Sequence, residues 1–331
     1  MIKKRKHHII PVTYLAGFTD QSGRLYQYRK DNPSSPQYNL PRELGHRRDY
    51  YSQPTPEGET DYNRLEDFFS ILESEWTGIV SKMLSNEPLS QNDRMVLFQF
   101  LYLTKARVPA TRDAVEKMLA FHVKETGKSL EETGLLPPRP PELDGVELQV
   151  SIDPHKSIHA MNDVAKGFSR IFDFTRLVIY QNKTSTHHLT SDNPIVYFDA
   201  SVPEKEMKPY TLNSRNVEFI FPITSTLVLH GHPSYSDTDH LSYKTIHNSD
   251  TVRRYNRLIS KFAYERVFST TKADEPVIFR YANLSPVLNI NIHQMDKGKL
   301  VLSEYEFGAR IKLPKWDEKS ALIRMKAEKK T

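Results

Sequence analysis

The spacing of apolar positions changes along the chain, and the changes predict the elements. Between Asp61 and Leu84 apolar residues fall at Leu65, Phe68, Phe69, Leu72, Trp76, Ile79, Val80 and Met83. Their helical period predicts one amphipathic helix. Ser90-Gln-Asn-Asp93 is a capping-box start for the next helix. That helix passes through Met95–Leu103, is apolar on nearly every side and is therefore expected to be central and buried. Pro109 lacks an amide donor and clashes with the preceding turn, so it should kink or end this helix. A further helix is expected from about Ala110 to Thr126, and another from about His155 to Ile171.

The period then becomes two. Phe174–Tyr180 and His187–Ser191 flank Asn182-Lys-Thr-Ser as a hairpin, and Val217–Phe221 with Thr226–His230 form a second. Asn248-Ser249 caps a helix to about Val267. Residues 6–30 read as extended, 31–60 as a surface loop and 277–313 as short strands and loops. Together these elements predict an α+β fold, with a helical layer in the first half packed on a mostly antiparallel sheet. The run Pro137-Pro138-Arg139-Pro140-Pro141 marks a proline-rich excursion at 135–155 within a single domain spanning 1–275. Residues 276–331 are expected to add C-terminal strands and a basic tail to the same core.

Composition narrows the function classes. With 331 residues, 38% hydrophobic and 26% charged, the chain can bury a sizeable core and has no run long enough to suggest a membrane partner. It has no cysteine, which excludes disulfides, thiolate zinc sites and cysteine nucleophiles and makes the cytoplasm the expected location. The net charge is +5, partly carried by Lys3, Lys4, Arg5 and Lys6 and by Lys319, Arg324, Lys326, Lys329 and Lys330. Basic arms of this kind contact phosphates or simply aid solubility. No glycine-rich phosphate loop, dinucleotide fingerprint, zinc-protease helix or nucleophile elbow is present, so no cofactor motif can be assigned.

The remaining chemistry lies in scattered polar residues. His7 and His8 are adjacent in an extended segment and must point to opposite faces. A neutral imidazole there serves as a general base or a metal ligand, or bonds to backbone. His188, Thr190 and Asp192 share one face of a strand that ends at Asn193-Pro194, where Asp192 either orients a histidine or closes an Asx-turn. Glu66 and Glu73 lie on nearly the same side of one helix and could hold Mg²⁺ or Mn²⁺, although Glu73 also fits a solvated stripe. Arg107 and Arg112 follow the buried helix, to grip a phosphate or, for Arg107, to bridge to Glu66. Tyr14, Tyr50 and Tyr51 are either stacking platforms for bases or core. His230-Gly-His232 and His240 lack flanking carboxylates.

Eight of these pieces occur in a characteristic order. They are His7-His8-x-x-Pro11-x-x-Tyr14-Leu15-x-x-Phe18, the strand Leu25–Tyr28, Arg48–Tyr51, Leu65-Glu66, Arg107, Ser191–Pro194, Phe221-Pro222 and Arg253-x-x-Asn256. The order resembles a bacterial family, the domain of unknown function 4238, over about residues 5–270. The resemblance implies a shared fold and polar set, and an association with mobile elements that suggests defence or toxin roles. The expected function is a nucleic-acid-acting hydrolase. His7, His8, Glu66, Arg107 and Asp192 are its candidate catalytic residues. Arg48, Tyr51, Arg112, Asn193, Arg253 and Asn256 are its candidate substrate-binding residues. The alternative is a non-catalytic sensor or binding protein in which the same residues form a structural network. Two juxtapositions are expected: the N-terminal strand beside the Ser191–Pro194 turn, and Glu66 and Arg107 presented from the helical layer.

Overall fold

In a computed structural model, residues 3–137, 140–141, 150–211, 216–295 and 298–310 are described. Much of the proline-rich excursion and most of the basic tail lie outside the described residues. The fold is α+β.

The chain opens with a short strand, β1 (Lys6–His8), which ends before Pro11 starts the one-turn helix α1 (Val12–Leu15). The extended reading of 6–30 therefore fails at 12–18, because proline cannot continue a ladder but suits a helix start. Strand β2 (Leu25–Arg29) pairs with β3 (Asn32–Asn39), an edge strand in the segment expected to be loop. Its polar, proline-bearing sequence concealed it, and only an edge position tolerates those prolines. Gly45, at φ 59°, turns the chain into β4 (His46–Arg48), and a Cβ there would meet Leu15 at 3.1 Å. A small ladder of β5 (Gln53–Pro54) and β6 (Thr60–Asp61) precedes the helices.

The expected helix over 61–84 is two, α2 (Arg64–Ser74) and α3 (Trp76–Leu84). They meet where Trp76 turns inward to stack on Phe100 at 3.8 Å. Helix α4 (Gln91–Arg107) starts with the predicted Ser90/Asp93 capping box. It stops before Pro109, which becomes the first residue of α5 (Pro109–Glu132). The helix expected at 155–171 is split into α6 (Pro154–Ser157), α7 (Met161–Ser169) and α8 (Ile171–Phe174).

Two sheets follow. Strand β7 (Arg176–Asn182) does not form a hairpin with His187–Ser191. The Asn182 side chain accepts from the Thr184 amide and donates to the Thr186 carbonyl, and this turn takes the chain out of the sheet. Strand β8 (Thr190–Ser191) then joins the other sheet. Strand β9 (Val196–Asp199) precedes β10 (Val217–Pro222) and β11 (Leu227–His232), which form the second predicted hairpin. Strand β12 (Tyr243–Ile246) adds parallel to β7. Helix α9 (Ser249–Phe262) has the predicted Asn248 cap but ends short of Val267. There Lys30 Nζ takes the Ser260 and Ala263 carbonyls and Asp192 takes the next amides. Strand β13 (Arg266–Ser269), helix α10 (Glu275–Arg280) and a long hairpin, β14 (Ser285–Met295) with β15 (Gly298–Gly308), complete the described chain.

The five-stranded sheet runs β12-β7-β11-β10-β9, and the four-stranded one runs β3-β2-β13-β8. Every residue of β10 is buried, because both faces of its sheet are covered. On one face Phe219, Phe221 and Leu229 pack with Trp76, Leu97, Phe100 and Phe168 from the helical layer. On the other, Ile220 and Val228 pack with Val252, Ile259 and Phe262 of α9. Each such buried side chain contributes about 2 kcal/mol. No helix among the described residues is long and apolar enough to cross a membrane.

Candidate active site in a cationic groove

The β1–β4 ladder pairs Lys6 with Arg48, His7 with Arg47 and His8 with His46. Directly opposed residues share a face, and faces alternate along a strand. Lys6, His8, His46 and Arg48 therefore form one outward face, while His7 turns inward. The expected position of β1 beside the Ser191–Pro194 turn is not what the structure shows, since β8 pairs with β13 instead. The two segments meet further on, where the Tyr14 hydroxyl bonds Thr190 and the Pro222 carbonyl.

Inward-facing His7 is fully buried. Its Nδ1 accepts from the Tyr51 amide at 2.7 Å, which places the proton on Nε2, between the carbonyls of Lys4 and Tyr62. Both nitrogens are thus used by backbone, and the ring staples the segment without presenting a base. Tyr51 lies under it, stacked at 5.6 Å and packed edge-on against Phe69, too buried to stack on a base.

The outward face is different. His8 and His46 are half-buried, with ring centroids 5.9 Å apart. Glu66 reaches from α2 to place Oε1 at 3.9 Å from His8 Nδ1, and its buried Oε2 has no hydrogen-bond partner. His8 Nε2 contacts the Arg42 carbonyl at 3.2 Å. Nδ1 of His46 is also buried without a hydrogen-bond partner. Burial, followed by the Lys6 ammonium, lowers the His46 pKa and keeps its ring neutral, with the Leu44 carbonyl opposing.

A groove of about 380 Å³ runs along this ladder, lined by Arg5, Lys6, His46, Arg47 and Arg48. Asp49 takes Arg5 at 2.6 Å and approaches Arg48 at 3.5 Å, and Glu265 takes Arg47 at 2.5 Å. The Lys6 ammonium has no ion-pair partner among the described residues. Four cations face two carboxylates, so the groove keeps an excess of positive charge.

The other candidates are distributed elsewhere. Arg107 is buried and bonds Glu73 at 2.7 Å, with its guanidinium over Phe69, so neither the Glu66 bridge nor a solvated Glu73 is formed. Arg112 is buried against the Tyr50 carbonyl and lies 4.2 Å from that ring. Both oxygens of Asp192 accept backbone amides, from Tyr264 at 2.9 Å and Glu265 at 2.8 Å. Burial, then nearby Glu265, pushes its carboxyl up to about 6, against the pull of Arg266 and the two amides. Asn193 donates to the Phe262 carbonyl. Asn256 holds Leu189, His187 and Asp274. Arg253 is exposed and lines a separate cavity. Of the five catalytic candidates, the structure brings together His8 and Glu66.

His46 is absent from the expected set because 31–60 reads as loop, whereas Lys6 is expected only as part of a basic arm. His46-Arg47-Arg48 is polar at every position, so no alternation marks it as a strand. The histidine at 230 also has an unforeseen carboxylate, Glu218 at 3.0 Å across the sheet. Burial works to raise the Glu218 carboxyl, but Arg254 with two bonds and the His230 ring outweigh it and hold it down at about 2, so this cluster is a closed buried network. Among the described residues no group of three His, Asp or Glu converges into a ligand set for the expected Mg²⁺ or Mn²⁺.

The family model described as "Protein of unknown function (DUF4238)" matches residues 6–273. The chain belongs to this family. No curated protein and no solved structure matches it. The matched span begins at the first residue of β1, so the whole His/Lys/Arg ladder lies within the DUF4238 region.

Proposed function

We propose that the protein binds single-stranded nucleic acid along the β1–β4 groove and cuts RNA with His8 and His46 as an acid–base pair. The observation that carries this is the ladder itself, which puts two imidazoles, Lys6 and Arg48 on one face with Glu66 behind His8. Arginine and lysine hold the phosphate. Neutral His46 takes the proton of the ribose 2′-hydroxyl, whose oxygen attacks phosphorus. The P–O5′ bond breaks, and His8, oriented by Glu66, gives a proton to the departing oxygen. The products are a 2′,3′-cyclic phosphate and a free 5′-hydroxyl. Two imidazoles suit RNA, which supplies its own nucleophile. The defence or toxin role implied by family resemblance would rest on this activity.

The purified chain is incubated with end-labelled RNA and DNA, with Mg²⁺, with Mn²⁺ and with chelator. RNA is expected to be cut to cyclic-phosphate ends under all three conditions. Cleavage that persists in the His8→Ala/His46→Ala double variant would overturn the assignment. A second reading is favoured by the backbone bonding of His7 and Asp192. On this view the inward polar set is structural, and the groove binds RNA without cutting it. RNA retention without cleavage would support it.

A further inference from the structure

A second cavity, of about 670 Å³, opens between α9, the Ser185–His187 segment and the Thr271–Arg280 segment. It is separate from the groove. Arg266, at the start of β13, reaches the His46 carbonyl, whereas Thr271, beyond the other end of that strand, lines the cavity. Five extended residues put about 16 Å between those two points.

Three guanidiniums line the cavity. Arg253 and Arg257 are one helical turn apart on α9, and Arg280 ends α10 across from them. All three are weakly committed. Arg253 pairs with exposed Asp250, Arg257 lies 3.7 Å from half-exposed Glu204, and Arg280 has no ion-pair partner among the described residues. Such surface pairs are worth little, and a phosphate offering bidentate geometry displaces them.

The inner wall is fixed. Buried Asn256 accepts from the Leu189 amide and donates to the His187 carbonyl and, at 3.1 Å, to Asp274. Asp274 is therefore presented to the cavity in one orientation, on a support with no freedom of its own. Burial raises its pKa, against the opposing effects of Asn256, His187 and Arg253.

We propose that this cavity binds a phosphorylated small molecule of mononucleotide size, with the arginines on the phosphate and Asp274 accepting from hydroxyl or amino groups of the organic half. Among the lining side chains three arginines face one carboxylate, Asp274, and a phosphate dianion that displaces Asp250 and Glu204 from Arg253 and Arg257 meets that positive charge directly. The volume lies within the range that holds a small organic ligand, and an inorganic ion alone would leave most of it empty. The proposal does not depend on RNA cleavage.

Titration calorimetry of the full chain with AMP, GMP, CMP and UMP, and with inorganic phosphate, tests it. At least one nucleotide should bind, about tenfold or more tighter than phosphate. Arg280→Gln, at an exposed position, should weaken that binding about tenfold. Arg257→Gln should do so independently, and Lys6→Gln/Arg48→Gln in the groove should leave it unchanged. Each variant is first checked for the parent melting temperature. The proposal is overturned if no nucleotide binds at millimolar concentration, or if phosphate binds as tightly as every nucleotide. It is equally overturned if both folded arginine variants bind like the parent, or if only the groove variant loses binding.

Discussion

The chain carries two His-His segments that look alike in sequence, and the fold treats them in opposite ways. At His7-His8 one ring turns inward to backbone, and the other turns outward beside Glu66, His46 and uncommitted charge. At His187-His188, the His188 ring is fully buried against Tyr255 with neither nitrogen bonded. The following Asp192 is spent on backbone amides just beyond α9, and Asn193 donates to the Phe262 carbonyl and the Tyr210 hydroxyl. The difference shows that residue type marks where chemistry could be and that partners decide whether it is. A polar group whose bonds are all made to backbone holds the fold, and one left half-exposed among cations is available to a ligand.

The largest effect expected from this contrast is on activity. His46→Ala and His8→Ala should each lower RNA cleavage by about 10²-fold or more, the usual contribution of a positioned acid or base. Thermal melts should match the parent, since both rings lie on a half-exposed face. An initial-rate assay on labelled RNA gives the answer, and a cleavage rate unchanged in either variant removes that ring from the mechanism.

Asp192→Ala should do the reverse. It strands two buried amides, each costing about 1–3 kcal/mol, so a loss of about 3 kcal/mol should appear in urea unfolding. Unchanged stability together with lost cleavage would return Asp192 to the active site and collapse the contrast between the two regions.

His188 should be seen in the pH dependence of stability. Burial, then neighbouring His187, holds its pKa down at about 3, below the usual 6.5. The unfolded chain therefore takes up the proton first. Stability from this ring is complete above about pH 6.5 and is lost as the pH falls toward the folded value. Asp192 works in the opposite sense, because its raised pKa favours the fold below the usual carboxylate range and that advantage is lost as the pH rises through about 6. The two slopes oppose one another, so the informative quantity is a difference. Relative to His188→Leu, the parent should lose about 3 kcal/mol between pH 6.5 and 4. A pH-independent difference would mean that His188 is not buried neutral.

How far these regions could be read in advance follows from the same physics. The capping box at Ser90, the Asn248 cap and the β10–β11 hairpin are local signals, and each is present. The Asn182 turn is local but is made by a side chain that a hairpin reading passes over, whereas the edge strand through Pro33 and Pro36 and the break at Glu75 depend on tertiary partners. For the site, His8 and Glu66 were legible as candidates on different elements. Their actual partner, His46, lies in a polar stretch where two short strands meet, and no apolar periodicity marks a strand that buries little. The inward orientation of His7 could be narrowed only to one of two adjacent rings, because alternation says that neighbours diverge and not which of them faces the core.

The smallest predicted effect sharpens the contrast between outward and inward charge. Arg48 is exposed on the ladder face and meets Asp49 only at 3.5 Å, whereas Arg107 is buried and bonded to Glu73. If Arg48 contacts a phosphate, Arg48→Gln should weaken RNA binding a few-fold, alike for all sequences, and should reduce the slope of log affinity against log salt by about 1. Lys6→Gln should act the same way, and the two changes should add if the side chains touch different phosphates. Arg107→Gln should leave the salt slope untouched and should instead lower stability, since it leaves Glu73 without its buried partner. Fluorescence anisotropy with a short single-stranded RNA across a salt series separates these outcomes. A salt slope that falls with Arg107→Gln but not with Arg48→Gln would place the nucleic acid on the inner network, and the β1–β4 face would lose its role.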